Sequence, residues 1–300
     1  MSNHPLLNIA VRAARQAGNV IARNIDRFDT FTVAEKATND FVTEIDRVAE
    51  RRIIDTIRRT HPDHAILAEE SGAHGRSDFE WVIDPLDGTA NFVHGFPHFA
   101  VSIGLRHRGR MEHGVVFDPL RQELFTASRG SGAQLDDRRI RVSTKSNLRG
   151  ALVGSGFVTR DLDRLEPYLA TLRVLISGSA HVRRSGSAAL DLAYVAAGRL
   201  DGFWELGLAP WDIAAGALIV QEAGGMVVEP NGGDDYMRSG DVTAANPKML
   251  RAMLRAMGRP YRRTVSPGHR RYPDPGGPVQ HDEVPSVTSD RQGPADRSSA

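Results

Sequence analysis

The segment Trp81-Val82-Ile83-Asp84-Pro85-Leu86-Asp87-Gly88-Thr89 does most to restrict the folds open to this chain. An apolar run that breaks at a turn reads as a buried strand, and this one ends in two carboxylates three residues apart. Two acids delivered to the rim of a sheet repel each other unless a cation lies between them. All-oxygen donors of this kind suit a hard divalent ion such as Mg²⁺. The Gly88-Thr89 that follows offers backbone N–H groups and a hydroxyl to a phosphate. One short segment points to metal and phosphate together.

The rest of the chain supplies helices and sheet around that strand. Leu6, Ile9, Ala10, Ala13, Ala17, Val20 and Ile21 recur at helical spacing and predict a helix over 6–28. A second is expected over 43–59, opened by the capping pair Thr43 and Asp46 and closed at His61-Pro62-Asp63. Ala65–Ala68 reads as a short strand leading into Glu69-Glu70. From Phe99 to Val142 short apolar runs alternate with polar turns, the pattern of an antiparallel meander.

Past Gly150 strand and helix alternate. Strands are expected at 151–153, 174–176 and 226–228, and helices at 162–172, 188–197, 212–223 and 247–257. The fold class is therefore layered α/β, or α+β. Residues 1–147 form an antiparallel-rich half with most of the acids, and 148–258 a second, α/β half. Residues 259–300 hold seven of the sixteen prolines and no aliphatic side chain larger than valine. Such a stretch buries too little apolar surface to offset chain entropy, and a disordered tail is expected.

Composition narrows the chemistry. Net charge is +1, so bulk charge argues for neither nucleic acid nor membrane. The sequence has no apolar run long enough to span a bilayer, and no secretory layout at its start. With no cysteine there are no disulfides, thiolate nucleophiles or cysteine-bound zinc. The cytoplasm is the expected compartment.

The pair Asp84 and Asp87 gains weight from acids at other predicted element ends. Glu69 and Glu70 follow the preceding strand, and Asp212 follows Trp211 at the start of an Ala-rich helix. Glu69, Asp84, Asp87 and Asp212 would place four carboxylates on one rim. A rival reading makes Asp212 an N-cap, and Asp40 and Asp46 helix-start residues only.

Four separated motifs then carry a resemblance. Lys36 with Asp40–Asp46, Glu69-Glu70-Ser71, Asp84–Pro97, and Trp211–Gly216 with Glu222–Gly225 resemble the inositol monophosphatase family in content, order and gaps from Leu6 to Met257. The likeness is greatest to bacterial inositol-1-monophosphatases. It implies an αβαβα sandwich of the inositol monophosphatase and fructose bisphosphatase type, a homodimer, Mg²⁺ dependence and inhibition by lithium. Glu69, Asp84, Asp87 and the Leu86 carbonyl would hold one Mg²⁺, and Asp84, Asp87 and Asp212 a second. Gly88 and Thr89 would bind phosphate, while Asp46 and Thr89 orient the attacking water. Gly186, Ser187, Ala188 and Glu205, with Asp87 and Asp212, would meet substrate; the family often has Thr where Ser187 stands.

That assignment is chemically coherent. A phosphate monoester dianion repels hydroxide, and two metals about 4 Å apart clamp the attacking and leaving oxygens of an in-line displacement. Glu69 and Asp46 belong to the expected catalytic set with Thr89. The substrate implied is myo-inositol monophosphate. Relatives of similar pattern act on histidinol phosphate, fructose bisphosphate or 3′-phosphoadenosine nucleotides, and some bacterial relatives join the transcription antitermination machinery. Arg183, Arg184 and the tail are the candidate contacts for such a partner.

Three further motifs invite a function and are better explained otherwise. His94 and His98 have the spacing of a zinc pair, but Gly95 and Pro97 oppose a helix. Gly154-Ser155-Gly156 lacks the rest of a nucleotide-binding fingerprint and reads as a turn. Trp204 and Trp211 are expected in the core.

Overall fold

The computed structural model describes residues 4–25, 33–37, 40–157, 164–178 and 180–264 of the 300-residue chain. Helix α1 (Pro5–Ala22) is followed by a hairpin of β1 (Val33–Ala37) and β2 (Asp40–Thr43), then by α2 (Glu44–Arg58). Next come β3 (Ala65–Ala68), β4 (Gly72–His74), β5 (Phe79–Asp87) and the short α3 (Thr89–Val93). The meander consists of β6 (Ala100–His107), β7 (Arg110–Asp118), β8 (Glu123–Ser128), β9 (Gly132–Leu135) and β10 (Arg138–Arg139). The second half runs through β11 (Leu152–Ser155), α4 (Leu165–Ser177), β12 (His181–Arg183), α5 (Ala188–Ala196) and β13 (Gly202–Glu205). It ends with α6 (Pro210–Glu222), β14 (Met226–Val228), α7 (Tyr236–Ser239), β15 (Val242–Ala245) and α8 (Pro247–Thr264).

Two large sheets organise these elements. The first has strand order β10-β9-β8-β7-β6-β5-β3-β4, and the second β12-β11-β13-β15-β14. All pairs in the first sheet are antiparallel except β3 with β5. Three apolar cores hold five layers together, the second of them lying on both sides of the middle layer. The first joins α1 and α2 to one face of the large sheet through Ile9, Ala13, Ile53, Trp81, Ile103 and Phe117. The second joins the other face to α5, α6 and the small sheet through Val116, Phe125, Leu192, Ile213 and Phe203. The third packs the far face of the small sheet, through Val153, Trp204 and Ala245, on α4 and α8. Phe203 and Trp204 fall in different cores because adjacent strand residues point to opposite faces. The result is the expected αβαβα layering.

The central layer is tight because both surfaces are small. A Cβ on Gly114 would stand 2.8 Å from the Ala215 carbonyl oxygen, and one on Gly104 3.0 Å from the Ala214 Cβ. Glycine in β6 and β7 thus lets the Ala-rich α6 press its backbone onto the sheet, and carries the start of α6 to the sheet rim.

The structure corrects one predicted element. Val174-Leu175-Ile176 is the last part of α4, not a strand. Its β-branched residues favour a strand, but the buried positions Pro167, Tyr168, Thr171 and Leu175 repeat with helical period, and packing on α8 decides the outcome. The edge strand lies further on, at β12. Helix α8 continues to Thr264, past Met257 and into the stretch expected to be a tail. Residues 265–300, the predicted helical residues 26–28 and 162–163, and the side chains of Lys36 and Asp40–Thr43 lie outside the described residues. No helix of the described residues is long and apolar enough to cross a membrane.

Candidate metal and phosphate site

Strands β3 and β5 run parallel, so both release their acids at the same rim. The Glu69 N–H donates to the Ile83 carbonyl at 3.1 Å, extending the pairing by one residue. The buried Glu50 of α2 accepts from the Glu70 N–H at 2.8 Å and holds this turn in place.

Asp84 and Asp87 should point to opposite faces of a regular strand. They do not, because the β5–β6 register shifts between them: Asp84 pairs with Ser102 but Asp87 with Ala100. The extra residue in β5 is a bulge at Pro85-Leu86. Asp84 Oδ1 closes it by accepting from the Leu86 N–H at 2.9 Å. Gly88 then takes φ 96°, which a side chain resists, and the chain enters α3.

Asp212 reaches this rim from the second half. It is the third residue of α6, and its Oδ2 accepts from the Ala209 N–H at 2.7 Å. The N-cap itself is Ala209, so Asp212 is not the N-cap of the rival reading; it bonds back to that residue from the third helical position, and the same carboxylate joins the cluster. One oxygen each of Asp84, Asp87 and Asp212 lies within 4.8 Å of the others, the only such metal-ligand group among the described residues. His94 and His98 form no such group there.

Glu69 is not in that tight group, but its charge acts on Asp84. Burial pushes the Asp84 carboxyl well above the ordinary carboxylate range, and the charges of Glu69, Asp87 and Asp212 push it further, against the Leu86 N–H. Burial raises Asp87 to about 6, opposed by bonds from Ser187, Ala189 and Ala188. Three buried or half-buried carboxylates held this close are costly without positive charge between them. Their oxygen-only donor set fits a hard divalent cation.

The remaining expected residues surround this cluster. Asp46 is fully buried in the first turn of α2. The Thr89 hydroxyl lies 3.0 Å from Asp46 Oδ1 and 3.0 Å from the Leu86 carbonyl, and its one proton serves either. Ser187 caps α5 and donates to Asp87 Oδ2 at 2.6 Å, and the Ala189 N–H donates to the same oxygen at 2.7 Å. The Gly186 carbonyl oxygen approaches within 3.1 Å of where a Gly88 Cβ would stand. Glu205 ends β13, and burial pushes it well above the ordinary range, with the charges of Asp191, Asp212 and Asp87 acting the same way and Arg184 opposing.

Several residues around the site escape sequence reading. Gly156 is one: a Cβ there would stand 2.2 Å from Glu205 Oε1, so the supposed turn is the wall against which Glu205 rests. Asn91 ties α3 to the other half, donating to the His98 and Ser185 carbonyls at 2.7 and 2.9 Å. Asp191 is buried in α5, accepts from the Ser185 hydroxyl at 2.8 Å, and is raised by burial to about 8. His98 lies 4.0 Å from it, and burial lowers its imidazole to about 4. In sequence Asp191 looks like one polar residue in an Ala/Leu helix. Trp204 is fully buried and stacks on Tyr168 at 4.7 Å, as core packing requires.

Five-layer architecture and a carboxylate cluster at a strand rim, with a donor set suited to a hard divalent cation, define the class of this α/β protein. The chain belongs to the inositol monophosphatase family, whose model matches residues 2–259. The Nus factor SuhB of Pseudomonas aeruginosa is 54% identical over 256 residues, covering 83% of this chain and 94% of that one. The extragenic suppressor protein SuhB of Bartonella henselae superposes with a TM-score of 0.82 at 42% identity, over 85% of this chain and 98% of that one. An inositol monophosphatase from Anabaena superposes with a TM-score of 0.75 at 39% identity, over 85% and 95%.

Proposed function

We propose that this chain is a Mg²⁺-dependent phosphomonoesterase that converts myo-inositol monophosphate to inositol and phosphate. The observation that carries this reading is the convergence of Asp84 and Asp87 from the end of β5 with Asp212 from the first turn of α6, whose oxygens approach within 4.8 Å. Glu69, Asp84, Asp87 and the Leu86 carbonyl would hold one ion, and Asp84, Asp87 and Asp212 another. Bound Mg²⁺ supplies neutralisation of phosphate charge and a more acidic water.

The protein groups do the rest. The Thr89 hydroxyl, shared with Asp46, orients the attacking water, and Asp46 accepts its proton. The N–H groups of Gly88 and Thr89 hold the phosphate, and the side chain of Glu205 with the 186–188 turn binds the polyol hydroxyls. Phosphate release should be measured over a panel of inositol, histidinol, fructose and adenosine phosphates, with Mg²⁺ and with added Li⁺. Inositol phosphate is expected to lead the panel, lithium to inhibit, and Asp84→Asn to be inactive. Activity that survives Asp84→Asn removes the mechanism, and preference for another ester changes the substrate alone.

A second role is favoured by the relatives named Nus factor SuhB, at 54% identity. In this reading the chain is a cytoplasmic homodimer that also engages the transcription machinery, with Arg183 and Arg184 among its contacts. Both arginines are exposed, and Arg184 lies over the Phe157 ring at 4.7 Å. Co-purification with RNA polymerase that persists in Asp84→Asn and is lost in Arg183→Ala separates this role from catalysis. Sedimentation tests the dimer.

A further inference from the structure

A stripe of cations runs along α8 in an outer layer, and the chemistry above does not use it. Lys248, Arg251 and Arg255 are exposed. Arg259 and Arg262 follow on the helical backbone at the same steps of three and four residues. Such steps keep residues on one helix face. From 248 to 262 the axis rises about 21 Å, one cation about every 5 Å. The helix contains no Asp or Glu, and Lys248, Arg251 and Arg255 form no ion pair among the described residues.

The other face of α8 is already committed. Met249, Leu250, Met253 and Met257 are buried in the third core. A helix lying on lipid must offer its apolar face to acyl chains, so a bilayer does not fit. A protein partner needs apolar or aromatic anchors at the centre of its contact, and the steps at 248, 251 and 255 present cations only. Arginine forks pair well with phosphate oxygens, and a stacked polynucleotide strand offers one phosphate per about 3.4 Å. Packing on α4 and the small sheet keeps α8 from entering a duplex groove, whereas a flexible strand can follow an exposed ridge. Among cellular nucleic acids such a strand is RNA. We propose that the α8 ridge binds the phosphodiester backbone of single-stranded RNA without selecting bases. This stands independently of the phosphatase reading.

The test compares the full-length chain with the triple variant Lys248→Gln/Arg251→Gln/Arg255→Gln, using fluorescence anisotropy of labelled poly(U) across a salt series. Wild type is expected to bind, with affinity falling as salt rises. The triple variant is expected to bind about tenfold or more weakly at low salt, with the slope of log K against log salt shallower by about 2. Phosphate release and melting temperature should not change. If the triple variant melts early, Arg251→Gln alone should still flatten the slope by about 0.7. Four outcomes overturn the proposal: no binding of poly(U) by wild type, an unchanged slope in the variants, tighter binding of a duplex, or equal competition by polyglutamate. An unchanged slope would assign RNA binding to residues outside the ridge, because the variant keeps residues 265–300.

Discussion

The Ser187 hydroxyl donates to Asp87 Oδ2 at 2.6 Å, joining the start of α5 to the end of β5. Ser187 opens a helix of the central layer and Asp87 closes a strand of the large sheet, so this bond joins the two layers. Asp87 is fixed by it and by the Ala189 N–H before any ligand arrives. A buried bond to a charged acceptor contributes about 1.5–3 kcal/mol. Ser187→Ala is therefore expected to lose about that much stability in urea denaturation near pH 8, and to weaken Mg²⁺ binding. Ser187→Thr keeps the hydroxyl and should lose little of either.

Removing one acid from the cluster should separate stability from activity. In metal-free protein near pH 8, Asp84→Asn relieves repulsion by Glu69, Asp87 and Asp212. Its melting temperature is expected to rise by roughly 2–4 °C, about 1 kcal/mol for a chain of this size. The stabilisation that Mg²⁺ gives wild type should vanish, and phosphate release should fall about a thousandfold or more. Differential scanning calorimetry with and without Mg²⁺ checks both signs.

The pH dependence follows from Asp87, which burial raises to about 6. A carboxyl whose folded pKa is raised stabilises the fold fully below its unfolded value, near 3.8, and loses that contribution as pH climbs through 6. Metal-free protein should thus lose stability between about pH 4 and 6 from this group. Cation binding takes the ionised form, so Mg²⁺ affinity should climb over the same interval. Calorimetric titration at pH 5 and pH 7 reads the difference, and equal affinities would contradict it.

Gly156 offers a specificity test. Its missing side chain is the space that the Glu205 carboxylate occupies. Gly156→Ala should displace that carboxylate and raise KM for inositol phosphate roughly ten- to a hundredfold, the worth of one charged hydrogen-bonding group. With p-nitrophenyl phosphate, which has no polyol, kinetics should change little. A uniform drop on both substrates would argue for general damage.

Much of this arrangement was legible in sequence where chemistry and periodicity agreed. The end of β5, the apolar face of α1 and the meander are each set by residues close together in the chain. Asp212, far along the chain, was legible as an acid at a helix start that could join the same rim, with a capping role as the rival reading. What sequence concealed depends on contacts made late. The bulge at Pro85-Leu86 turns Asp87 to the side of Asp84, and neither alternation nor spacing announces it. The stretch Val174–Ile176 has strand-like residues, and only packing against α8 makes it helix. Asp191 sits in an Ala/Leu run and passes for a stray polar residue until Ser185 and His98 are seen around it.

Because α6 lies between the sheets, it does two things when it docks. Its Ala-rich face covers the bare side of the large sheet against Gly104 and Gly114, and its first turn brings in Asp212. A nascent chain still short of α6 has neither that cover nor the third carboxylate. Ion-binding competence and resistance to proteolysis should consequently be acquired in a single docking event during synthesis.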